Sequence, residues 1–147
     1  MGYIPEQEDA LAGYFVGAWC FVREITDRKA GEKARVEGSA TFSGEGQALA
    51  YAETGVMDFG HYHGEVTQNY VYQFTDLFAA NVLFRDQRLF HQLNLKTGQD
   101  TVAHWCKPDQ YTGHYLLQDQ AKWRVSWEIS GPRKNSVIST SYCRLVC

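Results

Sequence analysis

Apolar and polar residues alternate along most of this chain with the two-residue period of half-buried strands. The clearest run sets Trp123, Val125, Trp127 and Ile129 against Lys122, Arg124, Ser126 and Glu128, one face apolar and the other mostly charged. Leu89-Phe90-His91-Gln92-Leu93-Asn94-Leu95 alternates in the same way and leaves His91 on the leucine face. Ten runs predict strands at about 17–27, 34–43, 47–57, 66–76, 79–86, 89–95, 99–106, 111–118, 121–130 and 135–144. Turn signals fall between them, among them Ser43-Gly44-Glu45-Gly46, Thr97-Gly98, Pro108-Asp109 and Gly131-Pro132. Short strands at near-even spacing with brief loops predict an all-β, up-and-down antiparallel barrel of about ten strands. Ahead of them, residues 5–14 predict a short helix closing the base. Pro5 suits its first position, Glu6, Glu8 and Asp9 its positive end, and Gly13 can stop it. At 147 residues, a single domain over 1–147 is expected.

The turns fix registers. A loop at Gly131–Lys134 sets Trp127 opposite Ile138 and Trp123 opposite Tyr142, so Arg144, of the same parity, points inward. A Thr97-Gly98 turn sets His91 opposite His104, Leu93 opposite Val102 and Leu89 opposite Cys106. An Asp86-Gln87 turn sets Val82 opposite His91. With Lys107–Gln110 as the loop, His104 faces Gly113, flanked by Tyr111 and Tyr115, and the glycine leaves space for a ligand or water. A simple Asp119-Gln120 turn would set Tyr115 opposite Arg124, so a bulge or odd-length loop must intervene, or the inward face of 111–118 is the other one.

Composition narrows the function. Aromatic residues make up 14% of the chain, which suits a lined cavity. The net charge of −3 with no run of one sign argues against nucleic acid or an anionic membrane as partner. Residues 1–10 are acidic without an apolar core, Met1-Gly2-Tyr3 lacks a myristoylation pattern, and no apolar stretch spans a bilayer, so a soluble cytoplasmic protein is expected. Cys20, Cys106, Cys143 and Cys147 form no Cys-x-x-Cys and read as free thiols, mostly small core residues, with Cys147 open to oxidation near the terminus.

Candidate chemistry collects on the inward faces. Arg23, Tyr51, Glu53, Tyr70, Tyr72, His91, His104, Tyr111 and Tyr115 would make an aromatic pocket with several polar ends, the usual composition of a small-molecule site. The alternative is a filled barrel in which these groups satisfy one another. A catalytic reading uses His91 and His104 as an acid–base pair with a tyrosine or Glu53 as helper, in an isomerase, cyclase or hydrolase type of reaction. Cys106 beside His104 suits a nucleophile poorly, because positions i and i+2 of one strand align badly. No metal site is assigned. His91, His104 and Cys106 have donor types that zinc accepts, and His61-Tyr62-His63 reads as surface.

Two ends of the chain carry a resemblance. Gly17-x-Trp19 opens the first strand and Tyr142-Cys143-Arg144 closes the last. This is similar to the signature of calycin barrels, the superfamily of lipocalins, fatty-acid-binding proteins and nitrobindin-like haem proteins, where an arginine of the last strand stacks over the tryptophan of the first. The resemblance implies a calycin-like barrel, with Gly17, Trp19 and Arg144 as structural signature. Fatty-acid-binding proteins insert a helix-turn-helix lid between the first two strands, and Arg28–Ala34 is too short for one. The longest loop, Asp58–Glu65, is the expected mobile cover instead. Nitrobindin-like proteins carry their proximal histidine near the final strands. This chain has no histidine after His114, so haem ligation does not transfer, although His91 or His104 could hold a haem in another way. The segments His104–Tyr115 and Gly131–Asn135 resemble an uncharacterised domain-of-unknown-function family of bacteria and fungi over Tyr14–Arg144, which implies the barrel and no activity. The leading expectation is a cytoplasmic small-molecule-binding barrel. The alternatives are a His91/His104 enzyme and a filled interaction module, and a homodimer is compatible with each.

Overall fold

A computed structural model describes residues 2–145; what was expected of Met1 and Cys147 lies outside the described residues. The alternating runs form ten antiparallel strands: β1 (Gly17–Asp27), β2 (Glu32–Ser43), β3 (Ala48–Phe59), β4 (Tyr62–Phe74), β5 (Ala79–Phe84), β6 (Leu89–Asn94), β7 (Gln99–Cys106), β8 (Asp109–Asp119), β9 (Lys122–Ser130) and β10 (Asn135–Arg144). They make one sheet in the order β6-β5-β4-β3-β2-β1-β10-β9-β8-β7, curled into a nearly closed barrel. The β9–β10 register pairs Trp127 with Ile138 and Trp123 with Tyr142, as the turn predicts.

The one helix among the described residues, α1, runs over Ala10–Phe15, shorter and later than residues 5–14. The backbone before it is taken up elsewhere. The Gly2 amide donates to the Thr97 carbonyl and the Tyr3 amide to the Leu117 carbonyl, so the leading segment is a strap across the base. Six residues are too few to hold a helix alone. Burial holds this one: Leu11, Tyr14 and Phe15 are fully buried, and Phe15 packs on Phe42, Tyr72 and Trp123.

The base is locked from both ends of the chain. Arg144 lies opposite Trp19 in the β1–β10 ladder with its guanidinium 4.1 Å from the indole centroid. It donates to the carbonyls of Val16 (2.8 Å) and Tyr14, and Trp19 Nε1 donates to the Phe15 carbonyl at 2.8 Å. Gly17 sits beneath it at φ +113°, where a Cβ would be strained and only 3.1 Å from the Arg144 guanidinium.

Several expectations change. β3 and β4 run to Phe59 and from Tyr62, so 58–65 is the tip of a tight hairpin with Asp58 opposite His63, not a loose cover. Cys20, Cys106 and Cys143 are free but exposed rather than core; Cys20 and Cys143 pair across β1–β10 on its outer face. The β7–β8 turn is two residues rather than four, so His104 faces Tyr111 and Gly113 faces Val102. β6 and β7 are the two ends of the sheet and share no ladder, so His91 does not face His104, nor Leu93 Val102, nor Leu89 Cys106. The Asp100 carboxylate takes the Asn94 amide at 2.8 Å, a side chain standing where a ladder bond would begin.

Candidate functional site

The inward faces of the strands enclose a cavity of about 470 Å³ above the α1 floor. It falls in the range of about 300–1,000 Å³ that small-molecule sites occupy. Arg23, Tyr51, Glu53, Tyr70, Tyr72, Tyr111 and Tyr115 line it. Phe90, Trp123, Trp127, Thr140 and Tyr142 line it too.

One wall is polar. Arg23 and Glu53 form a bidentate pair, Nη1 to Oε2 at 2.6 Å and Nη2 to Oε1 at 2.8 Å, and Arg23 Nε donates to Thr140 Oγ1 at 2.8 Å. The side chains are 12% and 1% exposed, so this pair is desolvated and its geometry matters. The Tyr51 hydroxyl donates to Glu53 Oε1 at 2.6 Å and lies 2.8 Å from the Tyr142 hydroxyl. Because the single Tyr51 proton goes to the carboxylate, Tyr142 is the donor in that contact. Burial pushes the Tyr142 phenol up to about 12, against the pull of Arg23, and burial likewise raises Tyr51, so both stay protonated at neutral pH.

The opposite wall is aromatic. Phe90 stacks on Trp127 with centroids 4.9 Å apart and 17° between planes, and Tyr70 stacks on Phe90 at 5.7 Å. A bulge makes this possible. Val82 pairs with His91 as expected, but Leu83 pairs with Leu89, leaving Phe90 as the extra residue, which turns inward beside His91. Gly113 lies opposite Trp127 on β9, where a Cβ would meet the indole at 2.7 Å. The space it vacates is therefore taken by Trp127, not by a ligand or water. A second bulge at Gln118 sets Tyr115 opposite Val125, resolving the mismatch in 111–118 with Tyr111, Gly113 and Tyr115 inward.

The wall is lowest over the β5–β6 hairpin. β4 pairs with β5 only over Tyr70–Phe74, so 62–69 has no ladder partner on that side, and Val66, Thr67 and Gln68 of this stretch border the cavity.

His91 and His104 do not line the cavity. Phe90 packs against both, with centroids 4.7 and 5.1 Å from theirs. His91 is 3% exposed, and its Nε2 is 3.1 Å from the Tyr115 hydroxyl, which in turn lies 3.5 Å from that of Tyr72. Burial, helped by the nearby charge of His104 and opposed by the Gln92 backbone, holds the imidazole down to about 4, so His91 is neutral and braces Tyr115. No imidazole is presented to a haem in the cavity, and Cys106 is exposed. Among the described residues no three His, Cys, Asp or Glu side chains converge as zinc would need. His61 and His63 are exposed at the β3–β4 tip, where His63 Nδ1 meets Asp58.

Sequence reasoning left Phe90, Trp127, Tyr142 and Thr140 out of the pocket. Trp127 and Tyr142 carried a signal in their inward parity; Phe90 carried none, because strict alternation points it outward.

No helix among the described residues is long and apolar enough to cross a membrane. Solved structures match the fold. The S-type phycobiliprotein lyase CPES from Guillardia theta superposes with a TM-score of 0.69 at 7% identity, over 92% of this chain and 91% of its own. A protein of unknown function from the DUF3598 family of Nostoc punctiforme gives 0.60 at 10% identity, over 91% of this chain, which spans about half (49%) of that protein. Rv2717c from M. tuberculosis gives 0.54 at 7% identity, over 90% and 94%. At such identities these likenesses establish a calycin-like barrel and nothing of its chemistry. No curated protein matches the chain in sequence. A family profile does, over residues 15–144, and the chain belongs to that family, the family of unknown function DUF6314.

Proposed function

We propose that this protein binds a small molecule inside its barrel, in the cytoplasm and without transforming it. The observation that carries this reading is the cavity of about 470 Å³, walled by stacked aromatic rings on one side and a satisfied polar cluster on the other. A filled barrel would have no such space. A small number of placed polar groups among many apolar ones is the composition that orients a ligand.

The geometry supports binding better than acid–base catalysis. Glu53 is already engaged by Arg23 and Tyr51, and Tyr51 and Tyr142 are held protonated. Native mass spectrometry of protein purified without added ligand, set against its denatured mass, tests the proposal. A reproducible extra mass lost on denaturation is expected, and it should raise the melting temperature by mass action when added back. A bare mass, together with no stabilisation by any member of a small-aromatic library, would overturn it.

A further inference from the structure

We infer that the ligand of this cavity is an uncharged aromatic molecule, and that Glu53 sets this preference by neutralising Arg23; the inference rests on the binding reading above. Arg23 and Glu53 are the only charged side chains in the lining among the described residues. They are matched one to one in a bidentate pair, so the wall presents polar groups and no net charge.

A carboxylate or sulfonate entering this space would shed its water and find no free cation. To reach Arg23 it would have to displace Glu53, which is 1% exposed and would then be left buried against Tyr51 alone. An ammonium ligand meets the same obstacle in mirror image, since Glu53 already accepts from Arg23 and Tyr51. The phenols do not supply a charge either, because burial keeps Tyr51, Tyr70 and Tyr142 protonated.

An uncharged ligand pays none of these penalties. Its ring can lie against the near-parallel faces of Tyr70, Phe90 and Trp127. A hydroxyl or carbonyl on its edge can accept from the guanidinium N–H groups of Arg23 that the Thr140 and Glu53 bonds leave over.

Three naphthalenes of one size separate the cases: 1-naphthylmethanol, 1-naphthoate and 1-naphthylmethylammonium, titrated calorimetrically into the full chain at pH 7. The alcohol is expected to bind at least tenfold more tightly than either ion. In Glu53→Gln, which leaves the Arg23 charge uncovered, naphthoate should gain at least tenfold relative to the alcohol. In Arg23→Gln the ammonium should gain instead. If wild-type protein binds either ion as tightly as the alcohol, the charge-balance inference is overturned while the binding reading stands. If none of the three binds at millimolar concentration, the aromatic-ligand inference is overturned, and the native mass measurement decides the binding reading separately. The wild-type ordering decides the matter even if neither variant folds.

Discussion

The barrel holds two inward arginines, one at each end of a spectrum. Arg144 closes the base, stacked on Trp19 and donating to backbone carbonyls, with no carboxylate partner among the described residues. Arg23 stands on the cavity wall, its charge met by a carboxylate that is itself buried. The first is a latch between chain ends. Its partners are an indole face and peptide groups, which cost little to leave exposed. The second is one half of a charge pair in a desolvated wall, and either half alone is a liability. The same residue type is thus structural where it meets backbone and selective where it meets a counter-charge beside empty space.

The difference between the two arginines should be largest at the buried pair. Arg23→Met alone or Glu53→Leu alone should each cost about 3–5 kcal/mol, because the surviving charge is stranded. The double variant should recover most of that loss. Urea unfolding of all four proteins measures the coupling; additive single effects would mean the pair is not a desolvated unit.

The brace behind the aromatic wall should be visible in pH. An unfolded histidine titrates near 6.5, and His91 in the fold near 4. Between those values the unfolded chain binds more protons, so stability is full above about pH 6.5 and falls as pH drops towards 4. The loss attributable to His91 is about 3 kcal/mol over that window. Urea midpoints from pH 7 to 4 in wild type and His91→Gln should converge at the acid end; parallel curves would contradict the burial argument.

Arg144→Ala gives the smallest effect, about 1–2 kcal/mol from the lost cation–π contact and carbonyl bonds. It should leave the affinity for 1-naphthylmethanol unchanged. A weakened affinity in that variant would mean that base and cavity are one unit rather than two.

Much of this arrangement could be read from the chain. Strict alternation placed β1, β7 and β10 at their observed bounds, and the Gly131–Lys134 loop set Trp127 opposite Ile138 in a register that agrees with the apolar face of β9. Arg23, Tyr51 and Glu53 were legible as inward from parity, but their bonding was not, since it joins strands β1, β3 and β10. The β6–β7 seam misled for a local reason. Thr97-Gly98 has the composition of a hairpin turn, yet the leading strap and the Asp100 side chain take the backbone groups there. The bulge at Phe90 was invisible, because an extra residue leaves the composition of its strand unchanged while reversing which side it faces.

Ligand bound between the two walls would sit against two of the protein's tryptophans. The four tryptophans sample the alternatives: Trp123 and Trp127 line the cavity, Trp19 lies under Arg144 at the base, and Trp105 is 59% exposed on β7. An NMR titration with 1-naphthylmethanol, following the indole N–H signals, reads all four at once. Trp127 and Trp123 are expected to shift together and saturably while Trp19 and Trp105 stay in place. A shift confined to Trp105, or none at saturating ligand, would contradict binding between the two walls.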